Sequence, residues 1–282
     1  WAAYRGPAGD GHSAESLAKK AVPANAVWKT QTETGFSSFS VADGKAFTLV
    51  KREVDGNPTE VCLALDAASG KELWTAGLSL AGKYDGGGDS GAEGNKGGDG
   101  PRSTPVVSGD KVYVLDSQLK LSALNLADGA EAWSVDLVKA HGAKNIKWQN
   151  AASPLIDGDR VFVAGGGQGQ SLLAFDKNNG SLLWKGEDDA ITHATPIVAD
   201  LLGQRQVIFF TQTGLVATQP EDGKVLWRQA YPFKVSTAAS PIVFEDIVYC
   251  SAGYGVGGGA YRIAKQGDAF TSTEIWRTEN DN

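Results

Sequence analysis

Residues 65–74 read LDAASGKELW, and the pattern returns as LNLADGAEAW at 124–133, FDKNNGSLLW at 175–184 and TQPEDGKVLW at 218–227. Each copy has a polar residue, three intervening residues, Gly, three more residues and Trp. Asp66, Asn125 and Asp176 can bond their own backbone and open a turn. Gly70, Gly129, Gly180 and Gly223 can take the positive φ of a tight hairpin. Apolar residues alternate on both sides, so two strands flank the turn. The Trp offers a large flat surface to a neighbouring unit. A weaker copy ends in TEIW at Trp276, and a lone segment, ANAVW, ends at Trp28.

A second element precedes each hairpin: RSTPVVSGDKVYVLD from Arg102, AASPLIDGDRVFVAG from Ala151, HATPIVADLLGQRQVIFF from His193 and AASPIVFEDIVYC from Ala238. The first copy, FSSFSVADGKAFTLV from Phe36, lacks the Pro. A hydroxyl residue, Pro, two apolar residues, a turn and an alternating strand describe two more strands, with Pro at a strand's first residue. Four short strands per repeat of roughly 40 to 60 residues make the blade of an all-β propeller. An open β-sandwich would not need the Trp-ended hairpin to recur in register.

The Asp, Gly and Trp that close each unit resemble the pyrroloquinoline-quinone-type propeller repeat, found in quinoprotein alcohol dehydrogenases and in the propeller lipoprotein of the outer-membrane β-barrel assembly machinery. The opening WAAYRGPAGDGHS resembles the start of secreted propellers of this superfamily. The likeness covers nearly the whole chain and speaks for fold more than for activity. It implies a single propeller domain over 1–282, about five to six blades represented here of seven or eight in the native protein, and a periplasmic or secreted location. In that family a lone strand such as the one at Trp28 completes the last blade, and residue 282 falls where another blade would open. The expectation is that the closing blades lie outside these residues.

The composition is that of an ordinary soluble domain, with 41% apolar and 21% charged residues. No apolar run approaches the roughly 18 residues of a membrane span. The formal charge of −7 and the lack of a Lys/Arg cluster argue against nucleic-acid binding. Cys62 and Cys250 sit in β-like runs and read as buried free thiols, a disulfide between distant blades being the alternative. The glycine-rich AGGGQGQ and GYGVGGG stretches read as turns, since neither lies between a strand and a helix.

Propellers hold ligands at the mouth of the central channel, where innermost strands begin. The corresponding positions are Ser37 and Ser38, Arg102 and Ser103, Gln149 and Asn150, Thr192 and His193, and Ser236 and Thr237. They read as a polar funnel, or, for the hydroxyls, as caps on strand entrances. Residues 81–101 form a Gly/Asp-rich insertion, in which Asp85, Asp89, Glu93 and Asp99 could offer oxygen ligands to calcium or simply be solvated. The first functional reading is a binding or protein-interaction scaffold. The alternatives are a quinoprotein-type dehydrogenase and a carbohydrate-binding or carbohydrate-active propeller, in which Trp148 and Gln149 meet a sugar. Whether the chain is an enzyme stays open, with the reading leaning away from one. The resemblance implies vicinal cysteines and an acidic base for a bound quinone; this sequence lacks the pair, which counts against pyrroloquinoline quinone.

Overall fold

The computed structural model describes residues 1–6, 9–13, 25–82 and 100–279. Five four-stranded antiparallel meanders follow one another. The first comprises β1 (Ser40–Ala42), β2 (Lys45–Val54), β3 (Asn57–Asp66) and β4 (Glu72–Leu80). The second comprises β5 (Val106–Ser108), β6 (Lys111–Leu115), β7 (Lys120–Asn125) and β8 (Glu131–Asp136), followed by the short helix α1 (Leu137–His141). The third comprises β9 (Leu155–Asp157), β10 (Arg160–Ala164), β11 (Leu172–Asp176) and β12 (Leu182–Gly186). The fourth comprises β13 (Ile197–Leu201), β14 (Gln204–Thr211), β15 (Gly214–Thr218) and β16 (Val225–Ala230). The fifth comprises β17 (Ile242–Phe244), β18 (Ile247–Ala252), β19 (Gly257–Gln266) and β20 (Ala269–Thr278). The innermost strands β1, β5, β9 and β13 touch in succession, which is the radial stacking of propeller blades. Among the described residues no helix is long and apolar enough to cross a membrane.

The Trp-ended hairpin joins one sheet to the next. The indole Nε1 of Trp74 donates to the Leu126 carbonyl (3.1 Å), that of Trp133 to Lys177 (3.0 Å) and that of Trp184 to Pro220 (3.0 Å). Trp28 lies in no strand among the described residues, where the sequence predicts one. Its indole still bonds the Ala67 carbonyl at 3.0 Å. The turn glycine of each receiving hairpin has two tasks. Gly180 adopts φ +72°, and a Cβ there would stand 2.6 Å from Trp133 Cε3. Trp227 departs from the rule: its Nε1 bonds Gln206 Oε1 of its own sheet at 2.7 Å.

Within each sheet the Trp belongs to a row that the sequence reading missed. An alanine of the third strand pairs with it: Ala64 with Trp74, Ala123 with Trp133, Ala174 with Trp184, Ala217 with Trp227 and Ala260 with Trp276. A β-bulge follows the alanine each time. On the alanine's other side stands Phe47, Tyr113, Phe162, Ile208 or Tyr249. The four aromatic residues of this set reach across the small side chain to their own Trp, at ring-centroid distances of 5.7–6.0 Å. Cys62 and Cys250 are free and buried, in sheets one and five.

The double role of the glycine is testable. Gly158 also has a positive φ (+56°), but nothing lies within 4 Å of a Cβ built there. In urea denaturation Gly158→Ala is expected to cost about 1 kcal/mol for the left-handed backbone. Gly180→Ala should cost roughly 1–3 kcal/mol more, because the indole must move. Equal losses would mean that the indole contact contributes nothing.

Candidate functional site

The entrances of the innermost strands converge on a cavity of about 380 Å³. Of the residues that the sequence places at the mouth, the structure brings Ser38, Arg102 and His193 into its lining. Tyr4, Phe36, Thr104, Ser153 and Thr195 join them, and the sequence reading had named none of these as ligand contacts. The N-terminal segment enters by pairing with two blades, since Val41 N–H donates to the Trp1 carbonyl (2.8 Å) and Val107 N–H to Ala2 (2.7 Å). This brings Tyr4 to the axis.

Other predicted mouth residues have their polar atoms engaged by the scaffold. Ser103 Oγ donates to the Leu115 carbonyl (2.6 Å), Thr192 Oγ1 to Phe210 (2.6 Å) and Thr237 Oγ1 to Ser251 (2.9 Å). Asn150, 1% exposed, donates to the carbonyls of Leu115, Asp116 and Ala152 and accepts from Ala152 N–H. Ser37 Oγ turns to the carbonyl of Ser38. Gln149 accepts at its side-chain oxygen from Gln118 and Asn145. Trp148 packs on the core beside His193.

The hydroxyls before Pro154 and Pro196 link adjacent blades. Thr104 N–H donates to Ser153 Oγ (2.8 Å), and Ser153 N–H donates to Thr195 Oγ1 (3.0 Å). His193 N–H continues the relay to Ser236 Oγ at 3.1 Å.

Two side chains give the mouth its character. The Arg102 guanidinium lies over the Phe36 ring, 5.0 Å from its centroid. His193 Nε2 stands 2.8 Å from the Gln149 carbonyl. A carbonyl only accepts, so Nε2 carries the proton and Nδ1 is the acceptor. Burial lowers the His193 pKa and so favours the neutral ring; the Gln149 bond opposes this and the Arg102 charge adds to it.

Behind the wall, Glu60 of β3 and Asp116 after β6 are both fully buried. Glu60 Oε2 accepts from Ser117 N–H at 3.1 Å, and Oε1 has no hydrogen-bond partner among the described residues. Burial raises the Glu60 pKa to about 7, aided by the Asp116 charge and opposed by the Ser117 bond. Burial likewise raises that of Asp116.

The calcium reading falls on Asp85, Asp89, Glu93 and Asp99, outside the described residues. Among the described residues no three His, Cys, Asp or Glu side chains gather to hold a metal. A quinone paired with a divalent ion needs carboxylate oxygens beside it. The described lining of the mouth contains a guanidinium and an imidazole but no carboxylate, so it does not fit such a group.

The Glu60 shift sets a pH dependence. A carboxyl whose folded pKa lies above its unfolded value holds more protons when folded, so its contribution favours the fold at low pH and is lost as pH rises from about 4.5 toward about 7. Glu60→Gln should therefore raise Tm at pH 8, by an amount equivalent to roughly 3 kcal/mol at about 1.4 kcal/mol per pKa unit. It should change little at pH 4, which thermal melts at the two pH values would check.

A family model described as outer membrane protein assembly factor BamB matches residues 58–282. The curated outer membrane protein assembly factor BamB of Salmonella typhimurium is 31% identical over 101 residues, 34% of this chain and 24% of that protein. BamB from Moraxella catarrhalis is similar in structure, with a TM-score of 0.60 at 18% identity, covering 89% of this chain and 64% of that one. A quinohemoprotein alcohol dehydrogenase from Comamonas testosteroni gives 0.54 at 14% identity, covering 83% and 41%. The matched region is thus less than two thirds of each of these relatives' length. At such identities the structural likenesses speak for a common fold alone.

Proposed function

This chain belongs to the family described as outer membrane protein assembly factor BamB, and on that basis we propose that it is a non-catalytic protein-docking scaffold outside the cytoplasm, with the channel mouth as its recognition site. On this reading residues 1–282 belong to one propeller, and 81–101 are a loop inserted between its first two sheets.

The composition of the mouth supports it best. Thr104, Ser153 and Thr195 face one another with Ser153 and Thr195 already receiving hydrogen bonds, Tyr4 and Phe36 supply aromatic surface, Arg102 the charge, and the His193 ring is neutral. Such a lining can anchor a partner's side chain by stacking and hydrogen bonding. Among its described residues it offers no exposed acid beside a base of the kind that general acid–base catalysis needs. The rim-to-rim locking of the sheets holds that surface rigid, which lowers the entropy cost of association. The dehydrogenase alternative also meets a covalent obstacle, since the two cysteines are far apart in sequence.

A photo-crosslinking residue at Ala238, on the exposed side of the mouth, should capture one defined outer-membrane assembly protein. The same residue at Asp128, on the hairpin rim, should not. Arg102→Ala should reduce that adduct at least several-fold. Quinone- and calcium-dependent dye reduction by the purified protein, or equal labelling from both positions, would overturn the scaffold reading.

A further inference from the structure

We propose that a second site, a groove of about 430 Å³ beside the mouth, with a lining distinct from it, binds an acidic oligosaccharide, a chain of uronate or sulfated sugar units. The proposal goes beyond the scaffold reading and does not depend on it. The groove lies among the connections that follow α1, β12 and β16 and the turn after β14, and Lys144, Lys147, Trp148, Gln212 and Lys234 line it.

Charge is the first argument. The chain is acidic overall, at −7, yet three lysines converge on this groove. Elsewhere Lys45, Lys111, Lys120, Lys139 and Lys177 each pair with a carboxylate, whereas Lys51, Lys71, Lys185 and Lys224 form no ion pair among the described residues but share no groove with one another. Lys144, Lys147 and Lys234 make no ion pair among the described residues, and all three are exposed. The carboxylate on the wall, Asp188, accepts the Gly169 N–H at 2.7 Å.

Shape and rigidity are the second. Trp148 is half-buried, seated on the core, and meets the His193 ring edge-on with centroids 6.5 Å apart. Buried Ile146 and Ile191 form the floor. Gln212 is fixed by its backbone, donating to Ala190 and accepting from Phe233, both at 3.0 Å, while its side-chain amide makes no hydrogen bond among the described residues. A fixed indole, a free amide and ammonium groups match a pyranose with its apolar face, its hydroxyls and its acid substituent. An extended peptide would need a strand edge with open backbone groups, and no lining residue of the groove lies in a strand.

Calorimetric titration of the full chain with hexagalacturonate, a sulfated hexasaccharide, maltohexaose and a hexaglutamate peptide tests this. At least one acidic sugar should bind, more weakly as salt rises. Maltohexaose and hexaglutamate should bind roughly tenfold less tightly or worse, a difference of about 1.4 kcal/mol. Lys147→Gln with Lys234→Gln, both exposed, should weaken the acidic sugar roughly tenfold with an unchanged melting curve and an unchanged Ala238 crosslink. Trp148→Ala should abolish binding and Trp148→Phe should restore part of it. Failure of both acidic sugars to bind, equal binding of hexaglutamate, or indifference to the lysine pair would overturn the proposal, whatever the crosslinking at the mouth shows.

Discussion

Each of the first three sheets depends on the next to cover its indole. Trp74 and Trp184 are each 9% exposed and have the next hairpin's glycine beneath the ring. Burying about 200 Å² of such a side chain is worth roughly 5 kcal/mol at about 25 cal/mol per Å². The Nε1 bond adds direction, because one carbonyl in the receiving turn must face the ring. Where the pattern changes, so does the result: Trp227 finds its acceptor in Gln206 of its own sheet and stays 4% exposed, whereas Trp276 is 45% exposed. Stability is then a chain of nearest-neighbour terms, as in other repeat folds.

Close to the axis, a lighter fastening joins the second, third and fourth blades. The hydroxyls of Ser153 and Thr195 take backbone N–H groups from the blade before, and the proline that follows each begins the inner strand without a donor of its own. Ser103, Thr192 and Thr237 then tie the strand entrance to the second strand of the same sheet. Together they hold the mouth open at a fixed width.

The hairpin repeat was legible because all its parts lie within ten residues: turn former, glycine and Trp are local signals. The alanine opposite Trp was equally present, ten residues before it in four sheets, but its reason is only visible once Phe47, Tyr113 and Phe162 are seen crossing over it. At the mouth, Ser38, Arg102 and His193 could be placed by counting back from the strand. The residues that count adjacent to Pro, Thr104, Ser153 and Thr195, carry the same signal one step further on. Tyr4 was not legible, since its position depends on the Trp1 and Ala2 carbonyls meeting β1 and β5, a contact across roughly 40 and 105 residues that no periodicity announces. Asn150 misled for the opposite reason. An amide at a strand entrance looks available to a ligand, yet three carbonyls already claim it.

The two fastenings lie at different radii, with the heavy one at the rim and recognition near the centre. Loops such as the one bearing Lys147 and Trp148 hang from sheets that are already locked elsewhere. Substitutions there can alter what the molecule grips without loosening how it is built, so the same ring of wedges can be inherited by descendants with unrelated appetites.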